Sequence, residues 1–166
     1  MDQVQTLQVA AKDLTLPNLV VRDLMQTALQ RGAPFRLRAL GSSMSPIIRP
    51  GDVLTINPIR PGEPALGQVV AFIHPQNGLL LIHRVVQRHG SVFLILGDNM
   101  RGRNDGLVPV ENILGRVVQV SRNGRRVYFG QGLAGAMIAL LSRFGLLSLI
   151  LAALRRLRAK RARFET

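Results

Sequence analysis

The stretch Gly41-Ser42-Ser43-Met44-Ser45-Pro46 sets three hydroxyls among small and turn-forming residues. A serine hydroxyl is a weak nucleophile until a neighbouring base takes its proton. In a tight turn its oxygen is exposed, and backbone N–H groups are left to meet a developing oxyanion. Taken alone the cluster is weak evidence for catalysis, because Gly/Ser/Pro clusters are usually plain turns. The deciding question is which base the chain offers. Of 22 basic residues only Lys12 and Lys160 are lysines, so no lysine stands anywhere near the middle of the chain. Three histidines remain: His74, His83 and His89. His74 precedes Pro75 and His89 precedes Gly90, which puts both in loops. His83 lies within Leu-Leu-Leu-Ile-His-Arg-Val-Val (residues 79–86), apolar on both faces. There it is either a satisfied core residue or a buried base, and histidine as a residue type suits a base working near neutrality.

A histidine base ordinarily needs a carboxylate to fix its tautomer and steady its charged form. Acids are scarce, with 9 Asp+Glu in 166 residues. Asp98 and Asp105 flank the polar loop Gly97-Asp98-Asn99-Met100-Arg101-Gly102-Arg103-Asn104-Asp105. Asp52 follows Gly51 in a turn and reads as structural. A Ser–His–Asp arrangement is therefore permitted by these residues but not compelled. The chain has no cysteine, which excludes a disulfide framework, thiolate catalysis and Cys-based zinc sites.

The elements that must position these groups follow from periodicity. Leu19, Val20, Leu24, Ala28 and Leu29 recur at helical spacing over residues 18–31, and Gly32 supplies a stop. Strands are predicted at 35–40, 52–57, 68–73, 79–88, 91–96, 113–120 and 125–129, separated by Pro-Gly, Asn-Gly, His-Gly and Asp-Gly turns. Short Val-, Ile- and Leu-rich strands indicate a mainly β domain. The expected organisation is a tail with an amphipathic helix (1–34), a β domain (35–130) and an apolar helical segment with a basic tail (131–166).

At 47% apolar residues the chain can bury one core. Its net charge of +13 is uneven. Residues 131–166 hold Arg143, Arg155, Arg156, Arg158, Lys160, Arg161 and Arg163 against the single acid Glu165. This excess adjoins the apolar run 132–154, a pairing that points to anionic lipid headgroups. Aromatic residues make up 4%, too few for a base-stacking surface, so nucleic acid is disfavoured as a partner. The run has the length of a membrane helix. Arg143 near its middle argues instead for shorter helices lying in the interface. Asp2, Gln3 and Gln5 stand where a secretory signal would need a basic start and an apolar centre.

In this order, GSSMSPIIRPGD, LLLIHRVV and LILGDNMRGRND resemble the three catalytic boxes of signal peptidase I. That family runs Ser-Met-x-Pro and Gly-Asp, then a strand carrying the base, then Gly-Asp-Asn with a downstream aspartate. Ile-His-Arg-Val is similar to the histidine-base version found in the archaeal and endoplasmic-reticulum branch. The likeness spans about residues 36–118. It implies the mainly β fold shared with self-cleaving SOS-type repressors, and serine endopeptidase activity after small residues with no metal or organic cofactor. It also implies Ser43 as nucleophile, His83 as general base and Asp105 as the supporting acid. Asp98 is the alternative acid and the better shaper of the loop. Met44 and Pro46 match positions that mould the wall beside the nucleophile. The family's hydroxyl two places before the nucleophile is replaced here by Gly41, leaving the Ser43 amide and the Ser42 hydroxyl to hold an oxyanion. Two alternatives stay open: a dedicated processing or self-cleaving peptidase of the same fold, and a non-catalytic protein of the membrane surface.

Overall fold

Alternating apolar residues make the strands, and register shifts within them bend the resulting sheet. In a computed structural model, residues 7–8, 18–60, 62–99, 106–144, 146, 150 and 153 are described. The strands are β1 (Leu7–Gln8), β2 (Phe35–Arg38), β3 (Val53–Pro58), β4 (Val69–Ile73), β5 (Leu80–His89), β6 (Val92–Leu96), β7 (Leu107–Pro109), β8 (Ile113–Arg122) and β9 (Arg125–Val127). They form one sheet in the order β1-β2-β3-β8-β4-β5-β6-β7, with β9 hydrogen-bonded to β8. Every pairing is antiparallel except that of β1 with β2.

The sheet is curled. Register shifts interrupt the ladders at Thr55/Ile56, Ala71/Phe72 and between Val85 and Gln87. Such irregularities bend a strand and increase its twist. As a result Leu37 of β2 and Ile82 of β5, four strand steps apart in the order, line the same cleft. In a flat sheet those strands would lie about 19 Å apart.

The N-terminal helix α1 (Asn18–Gln30) closes one face. It ends as Gly32 takes φ +76°, with the Ala33 N–H reaching back to the Ala28 carbonyl at 3.0 Å. Met25, Ala28 and Leu29 are buried in one core with Phe35, Leu54, Ile56, Val117 and Val120. The helix approaches closely because β8 carries Gly115, where a Cβ would stand 2.9 Å from Leu29 Cδ1 and 2.6 Å from the Asn57 carbonyl oxygen. The other face has its own core of Val70, Phe72, Val85, Phe93, Ile95, Val108 and Ile113.

Helix α2 (Gly132–Arg143) packs on β5. Its buried face is made of small residues. A Cβ on Gly135 would stand 2.4 Å from the Gly130 carbonyl oxygen and 2.9 Å from that of Gly67. Of the apolar segment expected to run helically to Leu154, α2 accounts for Gly132–Arg143, and most positions after Phe144 lie outside the described residues. Among the described residues, no helix is long and apolar enough to cross a membrane.

Candidate active site

Ser43 and His83 meet. The Ser43 hydroxyl lies 2.8 Å from His83 Nε2 although 40 residues separate them in sequence. For the hydroxyl to donate there, the ring proton must sit on Nδ1, which leaves Nε2 to accept. His83 is 3% exposed, so little water competes for that contact.

Each partner is held by its own local structure. After β2 the chain keeps pairing for one residue, with the Ala39 N–H donating to the Asp52 carbonyl at 2.8 Å. It then turns at Gly41 into the serine segment. There the Ser45 N–H bonds the Ser42 carbonyl and the Ile48 N–H bonds the Met44 carbonyl, both at 3.0 Å. Asn99 braces this turn from the side. Its backbone N–H donates to the Ser43 carbonyl at 2.7 Å and its amide nitrogen to the Ser42 carbonyl at 3.2 Å. Met44 points inward, where it is buried and its Sδ accepts the Asp98 N–H at 3.4 Å. Among the described residues, the Ser43 backbone N–H has no acceptor, and so remains open to an oxyanion.

Behind the turn, Asp52 is buried and accepts the Arg49 N–H at 2.8 Å. It also accepts two bonds at 2.8 Å from Arg122, which in turn reaches the Ile47 carbonyl. The structural role expected for Asp52 is thus clamping the far end of the serine segment to β8. The Arg122 hydrogen bonds hold its carboxyl below the usual value of 3.8, outweighing desolvation, which acts the other way. A depressed carboxyl stabilises the fold above its unfolded pKa, and that contribution is lost as pH falls through the folded value. Asp52→Asn should therefore lower the melting temperature at pH 7, and the deficit should shrink below about pH 4. An equal deficit at pH 7 and pH 3 in thermal melts would refute the ionic clamp.

On β5, alternation sends His83 and its neighbour Arg84 to opposite faces of the strand, and His83 lines the cleft. Arg84 is fully buried and makes a two-pronged pair with Asp98, at 2.8 Å from Nε and 2.7 Å from Nη2. Its remaining donors reach the carbonyls of Gly67 (2.8 Å), Gly130 (3.0 Å) and Phe129 (3.1 Å). Asp98 is therefore engaged by Arg84 and shapes the loop that carries Asn99. Asp105, the expected supporting acid, lies outside the described residues.

A cleft of about 380 Å³ runs from this dyad along β2 and β5. Leu37, Leu40, Leu54, Leu80 and Ile82 make it apolar, and Ser43, Met44 and His83 form one end. Ser42 is exposed and Pro46 half-buried, and neither lines it, so of the expected wall residues Met44 alone does. The cleft also has backbone edges. Along β5, the Leu79 carbonyl accepts from His74 and the Val85 N–H donates to the Gln68 carbonyl, so odd-numbered residues face β4. Even-numbered residues then face away from β4. Arg84 pairs there with Leu96 of β6, while Ile82 opens onto the cleft.

Gly41 borders this cleft, and a Cβ built on it meets nothing within 4 Å. Gly41→Ser would therefore supply the hydroxyl that the resemblance expects. We expect kcat to rise by roughly tenfold, short of the ~10²–10³ that a fully positioned oxyanion donor delivers. An unchanged kcat would show that the glycine costs nothing.

Asn99 and Arg84 were not singled out from sequence. Arg84 had a signal, since a charge inside an apolar strand requires a buried partner. Among the described residues, no three His, Cys, Asp or Glu side chains come together as metal ligands. A scan against models of known protein families matches nothing in this chain, and a search of curated proteins finds no match either.

Proposed function

We propose that this chain is a serine endopeptidase of the signal peptidase type with a histidine base. The observation that carries the reading is the 2.8 Å contact between Ser43 Oγ and His83 Nε2, made at the end of an apolar cleft. A core histidine satisfied for structural reasons has no need of a hydroxyl presented on a braced turn.

In this mechanism a peptide lies extended in the cleft. His83 takes the Ser43 proton as the oxygen attacks the scissile carbonyl, and the negative charge on the carbonyl oxygen is met by the Ser43 N–H. His83 then gives its proton to the departing amine as the C–N bond breaks. Water, deprotonated by the same imidazole, attacks the ester, and Ser43 leaves with the proton restored. Asp105 is assigned to orient His83. Preference for small residues before the cut rests on the resemblance to signal peptidase. The test is covalent: a fluorophosphonate probe should label the native chain at Ser43, with labelling abolished in Ser43→Ala and strongly slowed in His83→Ala. Equal labelling of native and Ser43→Ala chains would reject the assignment.

We further propose that the enzyme works against an anionic membrane surface. Leu133, Met137, Leu140 and Phe144 recur on one stripe of α2 and its C-terminal end, opposite its buried Gly135 and Ala139. They are 52–88% exposed, and the sequence beyond them is strongly basic. The helix is about 18 Å long, against roughly 30 Å of hydrocarbon, so it would lie in the interface. Vesicles containing phosphatidylserine should carry the protein in flotation, and Leu133→Glu with Met137→Glu should release it. Equal flotation of both forms would place lipid contact elsewhere.

A further inference from the structure

The cleft has a built end. Leu80 of β5 faces the same open side as Ile82, yet its edge is already taken. Its N–H donates to Asn18 Oδ1 at 2.8 Å, and its carbonyl accepts from Asn18 Nδ2 at 3.3 Å. A carboxamide carries the same donor and acceptor as a peptide group. Asn18 therefore pairs with Leu80 as a strand residue would, across 62 positions of sequence. It sits on the first turn of α1, whose Met25 and Ala28 are fully buried in the core, so the end is anchored. Val21, one turn on, lines the cleft beside it.

We infer that Asn18 is a specificity-determining residue: it stands in for a peptide group at Leu80 and limits the length of substrate backbone that β5 can pair. The inference rests on the peptidase reading above. With Arg84 paired to β6 and Leu80 to Asn18, Ile82 is the sole position of this stretch left for a peptide. Ile82 directly precedes His83 in the chain, so backbone recognition on that side of the scissile bond ends within about three residues. A longer substrate must turn away from the sheet at α1. The enzyme accordingly selects peptides by a short extended segment next to the cut and gains nothing from an extended run beyond it.

The experiment is a ladder of peptides lengthened one residue at a time, separately on each side of the cut, with kcat/KM measured for each. In the native enzyme kcat/KM should stop rising after about three residues on one side. In Asn18→Ala the Leu80 edge is free, so the plateau should move outward by about two residues, with about a tenfold gain for the longer peptides. Asn18→Ser, which loses the amide but keeps a polar helix start, should behave alike, and thermal melts of both variants verify that α1 stays docked. A native enzyme that keeps gaining with every added residue on both sides, or folded variants with an unmoved plateau, would overturn the inference. Failure of Ser43 to take the phosphonate probe in the native chain would overturn the peptidase reading itself, a result distinct from labelled, active enzyme with no length effect.

Discussion

Replacing Ser43 with alanine should reduce cleavage of a signal-peptide-like substrate by roughly 10⁴–10⁶-fold, and His83→Ala should do about the same. Both lose the same event, since without the imidazole the hydroxyl keeps its proton, and without the hydroxyl the imidazole has nothing to activate. The double variant should for that reason be no worse than either single one. Stability should separate the two. Ser43 is half-buried on a turn secured through its backbone carbonyl, so Ser43→Ala should melt close to the native protein. His83 is buried against Phe72, with ring centroids 6.1 Å apart, so His83→Ala leaves a cavity and should melt lower. Single-turnover assays with melting curves for all three variants supply the measurement. Activity in either single variant above about one-hundredth of native would move the chemistry to other groups.

The second large effect is expected at Arg84. Its guanidinium and the Asp98 carboxylate are both wholly excluded from solvent. Removing one partner strands the other charge, at a cost of about 3–5 kcal/mol. Arg84→Met should therefore destabilise severely, and Asp98→Asn somewhat less, because an amide still accepts one of the two bonds. Combining Arg84→Met with Asp98→Leu should recover much of the stability, since apolar replacement of a whole buried pair is often neutral or better. Activity should not recover with it. Asp98 directly precedes Asn99, whose two bonds fix the carbonyls of Ser42 and Ser43. A double variant that melts normally yet has lost most of kcat is the expected result, read by calorimetry and steady-state kinetics. Recovery of both would reduce the pair to packing.

Much of the architecture was legible because most strands satisfy local rules. The strands at β3, β4, β5, β6 and β8 appear within a residue or two of the positions read from apolar runs and turn residues. The predicted strand 35–40 ends two residues early, because Gly51 and Asp52 pair with Ala39 and then release the chain into the serine turn. β7 was missed because three residues, Leu107–Pro109, make a strand here only against β6, a partner invisible in local sequence. β1, two residues long and parallel to β2, escaped for the same reason.

At the site, residue type left Ser43 and His83 as candidates without compelling their pairing, and the resemblance to signal peptidase I supplied it; the two side chains lie 2.8 Å apart. The roles of Asn18, Asn99 and Arg84 were not readable, because each depends on a contact across at least 14 positions. Asn18 in particular carries no motif: at the start of a helix it looks like an ordinary capping residue, and only the curl of the sheet brings it to Leu80.

The carbonyls of Phe129 and Gly130 bear on how far this protein can be trimmed. They lie past the last strand of the described residues, where a domain boundary would naturally be drawn, yet they take two of the N–H groups of Arg84, the neighbour of His83. A fragment ending at Val127 would keep every strand found among the described residues and still present that guanidinium with unmet donors. On the proposed peptidase reading, the smallest active piece should therefore extend at least to Gly130, and shorter ones should fold poorly or sit idle.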